Sequence, residues 1–231
     1  MQNSLLIIFA GGALIFVIAF IISGSLSTRI KGKRFFRALV FFPSVINPVA
    51  VAILWTFIYN NNWGLLNGLL RAIGLSGLQR VWTNPEYLFW SILVALVWMY
   101  MGFFCVLLLA ALDRIPTELL ESATLEGAGE FLIFFRVKIP LIWDVLVMAI
   151  TFWGITAVKE FSLLYSFGGG IDAPPDGITN LAVEMYHTAF GKMRFVYRMG
   201  YATAMGVIMF LLIVILYLTI HGLAKRESVE Y

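Results

Sequence analysis

The run LLIIFAGGALIFVIAFIISGSL, from Leu5 to Leu26, contains no charged residue over 22 positions. An α-helix rises about 1.5 Å per residue, so this run would form about 33 Å of helix, which is enough to cross the hydrocarbon core of a bilayer once. It is too long for the apolar core of a signal peptide, and no basic residue precedes it. The run is therefore predicted to be a transmembrane helix.

The composition of the whole chain is that of a membrane protein. Hydrophobic residues make up 61% of the 231 residues and charged residues 13%, whereas soluble domains carry roughly 25% charged residues. Further apolar runs predict spans at about 38–59, 87–112, 141–158 and 201–220. The sequence thus predicts an all-α, polytopic transmembrane helix bundle with five spans in one domain, residues 1–231, surrounded by membrane lipid and without a nucleic-acid role.

Lysines and arginines are unevenly divided between the two sets of loops that these spans would create. The larger set comprises ten residues: Arg29, Lys31, Lys33, Arg34, Arg37, Arg114, Arg136, Lys138, Lys225 and Arg226. The other set comprises five: Arg71, Arg80, Lys192, Arg194 and Arg198. Because cytoplasmic loops are enriched in Lys and Arg, we expect a multi-pass protein of the cell (inner) membrane. Its amino terminus would lie outside, and segment 113–139 and the carboxyl terminus would lie in the cytoplasm.

A polar segment lies between the third and fourth predicted spans. It reads Glu121-Ser-Ala-Thr-Leu-Glu-Gly127 and continues, nine residues further on, as Val137-Lys-Ile-Pro140. This pattern resembles the EAA loop of the permease subunits of binding-protein-dependent ABC importers, in which Glu-Ala-Ala is followed by three residues, Gly, nine residues and Ile-x-Leu-Pro. The departures are Ser122 for Ala, Val137 for Ile and Ile139 for Leu.

The resemblance covers nearly the whole chain and is closest to the carbohydrate-uptake permeases of the maltose and glycerol-phosphate type. It implies a type I ABC importer permease fold, here without the usual first helix. It also implies a second permease subunit, related or identical, together with cytoplasmic ATP-binding subunits, an extracytoplasmic solute-binding protein and a small-molecule solute. The residues that it assigns to coupling with the ATPase are Glu121, Ser122, Ala123, Glu126, Gly127, Ala128 and Pro140. The sequence of this segment itself predicts two short helices with a break at Gly127, since glycine permits a backbone turn that bulkier residues do not.

A candidate substrate pathway lies on the fourth predicted span. Its residues Trp153, Thr156, Ala157 and Glu160 are spaced i, i+3, i+4 and i+7 and so share one helix face. Aromatic faces and hydrogen-bonding side chains bind sugars, and an ionisable residue within a span is a functional candidate by default. The alternative is that Glu160 pairs with another helix. Further candidates are Asn47, between two prolines of the second span, and Tyr100 and Phe103 on the third.

The sequence offers little support for catalysis. It has neither a Gly-x-x-x-x-Gly-Lys-Ser/Thr phosphate loop nor a His-Glu-x-x-His motif, so no enzyme activity and no cofactor are predicted. The resemblance implies a permease that moves a sugar, oligosaccharide or glycerol-phosphate-like solute into the cytoplasm by alternating access, driven by a separate ATPase. The alternatives are a permease for another solute, such as a polyamine or phosphate, an intramembrane enzyme, or a membrane-anchored interaction protein.

Overall fold

The computed structural model describes residues 1–27, 32–167, 178–191 and 197–224. Within these ranges the chain forms helices and turns and contains no β-strand. Several basic residues of the charge count lie outside the described residues, namely Arg29, Lys31, Lys192, Arg194, Lys225 and Arg226.

Eleven helices, some extended by a tight or wide turn, follow one another along the described part of the chain. They are α1 (Gln2–Leu26, with a π-helical turn at Ile7–Gly11), α2 (Lys33–Phe41, followed by a 3-10 turn at Phe42–Val45), α3 (Pro48–Ile58), α4 (Leu65–Ala72), α5 (Pro85–Leu112), α6 (Thr117–Leu125), α7 (Glu130–Ile133, continued by a π-helical turn at Phe134–Lys138 and a last turn at Ile139–Leu141), α8 (Trp143–Lys159), α9 (Ser162–Phe167), α10 (Leu181–Phe190) and α11 (Met199–Ala224).

Four helical segments of the described chain are long and apolar enough to cross a membrane: Gln2–Leu26, Pro85–Leu112, Trp143–Phe167 and Met199–Ala224. The predicted second span, 38–59, is not one continuous helix. Segments Lys33–Val45 and Pro48–Ile58 meet at an angle of 99°. Proline lacks the backbone N–H that continues a helix, and Ile46 and Asn47, before Pro48, have extended ψ angles of 138° and 133°. The described chain therefore has four candidate spans, or five if this bent pair is one broken span.

Helix α5 is the centre of the bundle. It has the largest buried share of any candidate span, 61%, and α1, α2 and α3 pack against it. Helix α2 comes close to the backbone of α5 at Gly102, where a Cβ atom would lie 2.1 Å from the carbonyl oxygen of Val40. A glycine is required here because the backbone of α2 occupies the space of any side chain.

Polar contacts define two opposite ends of the bundle. At the first, which we call the Asp113 end, the carboxylate of Asp113 bonds to Lys33 Nζ at 2.7 Å and Arg37 Nη2 at 3.1 Å. At the other, the Glu160 end, the start of α1 meets the start of α10, where Leu181 N–H donates to Ser4 Oγ at 3.0 Å. The broken pair α2–α3 begins at the Asp113 end and leads away from it toward the opposite end of α5.

We expect Gly102→Ala to destabilise the bundle, although alanine is the better helix former, because its methyl group would push α2 away from α5. Forcing an extra methyl group into a packed core costs about 1–3 kcal/mol. The measurement is the apparent melting temperature of the purified protein in detergent. Gly222→Ala on α11 is the matched control, since nothing lies within 4 Å of its Cβ position. Equal melting temperatures for the two variants would contradict the close approach of α2 and α5.

Candidate functional site

The segment that carries the Glu121–Gly127 motif projects from the Asp113 end of the bundle. No residue of α6 is buried. Leu125, its last residue, is 89% exposed, and Phe131 in α7 is 77% exposed. These two exposed apolar side chains outside the spans make the element a candidate docking surface.

The turn between α6 and α7 explains the spacing of the motif. Gly127 N–H donates to the carbonyl of Thr124 at 3.0 Å, and Ala128 N–H donates to the carbonyl of Ala123 at 3.0 Å. These two bonds form a Schellman motif, which ends a helix with a residue in the left-handed conformation. Gly127 is that residue, with φ at +86°. Ala123, Gly127 and Ala128 are thus held together by backbone geometry, and the predicted break at Gly127 is confirmed.

The bundle fixes both sides of this projecting element. Before it, α5 ends at Asp113, which the ion pairs with Lys33 and Arg37 tie to α2. After it, the ring of Phe134 packs edge-on against Phe20 of α1, with 6.0 Å between ring centroids. Pro140 lies in the helical turn Ile139–Leu141 that leads into α8. Sequence analysis missed the role of Asp113, although a lone acid at the end of an apolar run was a visible signal.

The exposed surface of the element is acidic as well as apolar. Four of its glutamates are exposed: Glu118, Glu121, Glu126 and Glu130. In the sequence they flank Leu125 and Phe131, and the phenyl ring of Phe131 contacts that of Phe135 at 4.5 Å between centroids. Such a surface is complementary to a groove with an apolar floor and basic edges.

The predicted pathway face of α8 is packed inside the chain. Trp153 is 2% exposed and Ala157 is fully buried. The indole N–H of Trp153 donates to the carbonyl of Ile8 at 2.9 Å, and its ring lies so close to Gly12 that a Cβ there would be 2.6 Å from Nε1. In this arrangement of helices the ring therefore has little exposed surface for stacking, and the assignment of Trp153 and Ala157 to a pathway stays a prediction.

Glu160 is likewise enclosed, with 5% exposure. Its Oε2 accepts a hydrogen bond from Tyr100 Oη at 2.7 Å, and its Oε1 accepts one from Leu163 N–H at 3.0 Å. Both carboxylate oxygens thus have partners within the chain. The alternative left open by the sequence, that Glu160 pairs with another helix, is the arrangement that the structure has.

The remaining predicted pathway residues are more accessible. Asn47 is exposed at the bend between α2 and α3, where its Oδ1 accepts a hydrogen bond from Val49 N–H at 2.9 Å and caps α3. Phe103 and Thr156 are partly exposed, and the Phe103 ring contacts that of Phe152 on α8 at 5.4 Å between centroids.

Another face of α8 is open, and we call it the α8 stripe. It consists of Asp144, Met148, Thr151, Phe152, Ile155, Thr156 and Lys159. Most of it borders a cleft of about 600 Å³ that Tyr217 and His221 of α11 also line. The i, i+4, i+7, i+11 spacing of Asp144, Met148, Thr151 and Ile155 was a usable signal, but periodicity alone does not show which face of a helix is buried. Among the described residues, no group of three His, Cys, Asp or Glu side chains could hold a metal ion.

Comparison with known proteins agrees with this architecture. The diacetylchitobiose uptake system permease protein NgcF of Streptomyces coelicolor is 33% identical over 184 residues, which are 78% of this chain and 50% of that protein. The trehalose/maltose transport system permease protein MalF of Thermococcus litoralis is 34% identical over 163 residues, which are 70% of this chain and 55% of that protein. The chain thus spans about half the length of these two relatives.

The fold is also that of a solved structure. A bacterial ABC transporter involved in the import of the acidic polysaccharide alginate superposes with a TM-score of 0.74 over 99% of this chain and 79% of that chain, at 20% identity. Residues 15–229 match the family described as the binding-protein-dependent transport system inner membrane component. This chain is therefore a multi-pass membrane protein that belongs to that family.

Proposed function

We propose that this chain is a permease subunit of an ABC importer for carbohydrates and that a separate ATP-hydrolysing subunit docks on the element formed by α6 and α7. The observation that carries the proposal is the projecting helix pair itself. Its turn is fixed by backbone hydrogen bonds, and its exposed surface has no partner within the described chain. The element is attached to the bundle at Asp113 and at Phe134. A force on it would therefore be transmitted to α5, which precedes it in the chain, and to α8, which follows it.

The chemistry of docking follows from that surface. Leu125 and Phe131 would bury their apolar area in a groove of the ATPase, and each side chain of this size contributes roughly 1.5–3 kcal/mol on full burial. Glu121 and Glu126 would meet basic side chains at the edge of the groove. The transport cycle then uses ATP binding in the partner to move α6, which shifts the helices that it joins.

A carbohydrate is the solute class that the relatives favour, since uptake systems for diacetylchitobiose and for trehalose or maltose are among them. We place the solute-facing surface on the α8 stripe. Polar side chains in a span are costly against lipid and tend to face water or protein, and Thr151 and Thr156 lie on this stripe beside the aromatic rings of Phe152 and Phe103. Hydroxyls next to aromatic faces suit a sugar.

The remaining partners and the orientation complete the proposal. The Asp113 end would face the cytoplasm, in agreement with its excess of Lys and Arg, and the Glu160 end would receive solute from an extracytoplasmic binding protein. A second permease subunit, related or identical, would enclose the pathway from the other side. Helix α11, with 6% of its span buried within this chain, leaves ample apolar surface for lipid.

Gly127→Val tests the coupling element. At φ of +86° a side chain costs about 1–2 kcal/mol or more, so we expect the α6–α7 turn to be distorted. Solute uptake by the assembled transporter in vesicles should fall about tenfold, the factor that corresponds to 1.4 kcal/mol, with less ATPase subunit retained on purification.

Gly129→Val is the matched control for this experiment. Gly129 lies two residues away in an ordinary extended conformation with φ at −71°, and nothing lies within 4 Å of the Cβ position at either glycine. Uptake that is equally reduced, or equally retained, in both variants would contradict the role of the turn.

Single cysteines at Thr151 and Thr156, in a Cys105→Ala background, test the α8 stripe. A thiol reacts as the thiolate, which forms in water and not in lipid. We therefore expect both positions to react with a small polar thiol reagent and to be protected by solute. Thr219→Cys on α11, in the apolar cleft between α1 and α11, is the matched control and should not react. Reaction at Thr219 without reaction at either stripe position would place the pathway elsewhere.

A further inference from the structure

Four polar side chains form a buried cluster at the Glu160 end that the proposed transport function leaves unexplained. Ser4 is 3% exposed, Glu160 5% and Asn180 1%, and Tyr100 is partly buried beside them. They come from four separate parts of the chain, namely α1, α5, the junction of α8 with α9, and the residue before α10. Burying a polar group without a hydrogen bond costs folding free energy, so buried polar side chains are nearly always hydrogen-bonded.

Each member of the cluster makes a bond that joins two elements or caps a helix. The Glu160 carboxylate bonds α5 through Tyr100 and caps α9 through Leu163 N–H. Its backbone carbonyl accepts a hydrogen bond from the Asn180 side-chain amide. Asn180 Oδ1 in turn accepts from Val183 N–H at 3.0 Å and caps α10, while Ser4 Oγ accepts from Leu181 N–H at 3.0 Å.

The cluster sits where the helix of the fourth predicted span is interrupted. Glu160 ends α8 with an extended backbone (φ −60°, ψ 116°), and α9 then packs against α3 and α5. The first N–H groups of a helix have no partner within the helix, and at membrane depth there is little water to replace one. The carboxylate of Glu160 supplies that acceptor to α9.

Hydrogen-bond geometry, rather than charge, is what Glu160 contributes. In the part of the chain that the structure describes, the ion pairs are those of Asp113 with Lys33 and Arg37, and none involves Glu160. Both of its acceptor atoms are satisfied by neutral donors. A glutamine has the same shape and offers one acceptor and one donor, which can serve Leu163 N–H and the hydroxyl of Tyr100.

We propose that Glu160 is a positioning residue for transport and not a solute ligand: the hydrogen bonds of its carboxylate hold the break between α8 and α9 and link it to α5. Its backbone carbonyl adds a bond to Asn180, the residue before α10. The proposal rests on the proposed transport function for its consequence, because α9 contacts α3 and the α8 stripe runs directly into the break. Loss of the cluster would leave α9 free to shift away from α3. The end of the α8 stripe next to Glu160 would then lose its fixed position.

The test compares Glu160→Gln, Glu160→Ala and Tyr100→Phe by two measurements. The first is hydrogen–deuterium exchange of residues 162–167 in the assembled complex, which reports α9 directly. We expect protection like that of the parent in Glu160→Gln, and faster exchange by roughly tenfold in Glu160→Ala, where a buried donor loses its acceptor. Tyr100→Phe should fall between them. Glu184→Ala is the control: it removes a carboxylate on α10 that lies outside the cluster, and residues 162–167 should exchange in this variant as they do in the parent.

The second measurement is the maximal rate and half-saturation of uptake with solute-loaded binding protein. Glu160→Gln should stay within about twofold of the parent, since it keeps the bonds of the cluster, whereas Glu160→Ala should lose most of the maximal rate with unchanged solute preference. A Glu160→Gln variant as impaired as Glu160→Ala, with altered solute preference, would make Glu160 a ligand and overturn the proposal. Unchanged α9 exchange in Glu160→Ala would also overturn it. A parent complex that transports no carbohydrate would instead refute the proposed function, while exchange still decides the positioning role.

Discussion

A peptide group inside a bilayer has no water to bond with, so the protein itself must satisfy every interruption of a spanning helix. Three helix starts in the described part of the chain, two of them at interruptions of a span, are handled in the same way. At each, a side-chain oxygen accepts the hydrogen bond from a backbone N–H of the helix that follows: Asn47 for α3, Glu160 for α9 and Asn180 for α10. Because the caps of Asn47 and Glu160 replace lost helical bonds, the spans can be interrupted where the sequence places prolines or extended residues, and α3 and α9 can pack back onto α5.

The element outside the spans is built differently, and the difference follows from its surroundings. The turn between α6 and α7 uses backbone hydrogen bonds alone, with Gly127 in the left-handed conformation, so its side chains remain available to a partner. The bundle fixes this element at both ends, through Asp113 and through the packing of Phe134 on α1. A projecting surface on a rigid turn, joined directly to two spans, is what mechanical coupling to another subunit requires.

Much of this fold could be predicted from local sequence, because length and hydropathy decide whether a run spans a bilayer. The run Leu5–Leu26 lies within helix Gln2–Leu26, and the spacing of Gly127 from Glu121 identified the turn. Two features depend on contacts that no local pattern contains. Pro48 marks the site of the bend in the second span, but its angle of 99° and the close approach of α2 to α5 at Gly102 could not be predicted from it. The face of α8 that carries Trp153 is buried because Gly11 and Gly12 of α1 make room for its indole ring, and periodicity cannot distinguish such a packed face from an open one.

The account depends most on the docking of an ATP-hydrolysing subunit at the end of α6. The most direct measurement is site-specific photo-cross-linking in the purified, assembled transporter, with the cross-linker in place of Leu125, which is 89% exposed, and separately in place of Leu78, which is 55% exposed in the connection between α4 and α5. The account predicts a cross-link from Leu125 to the ATPase subunit, with a yield that changes when ATP binds, and none from Leu78. A cross-link to the ATPase from Leu78, or its absence from Leu125 in a complex that transports, would contradict it.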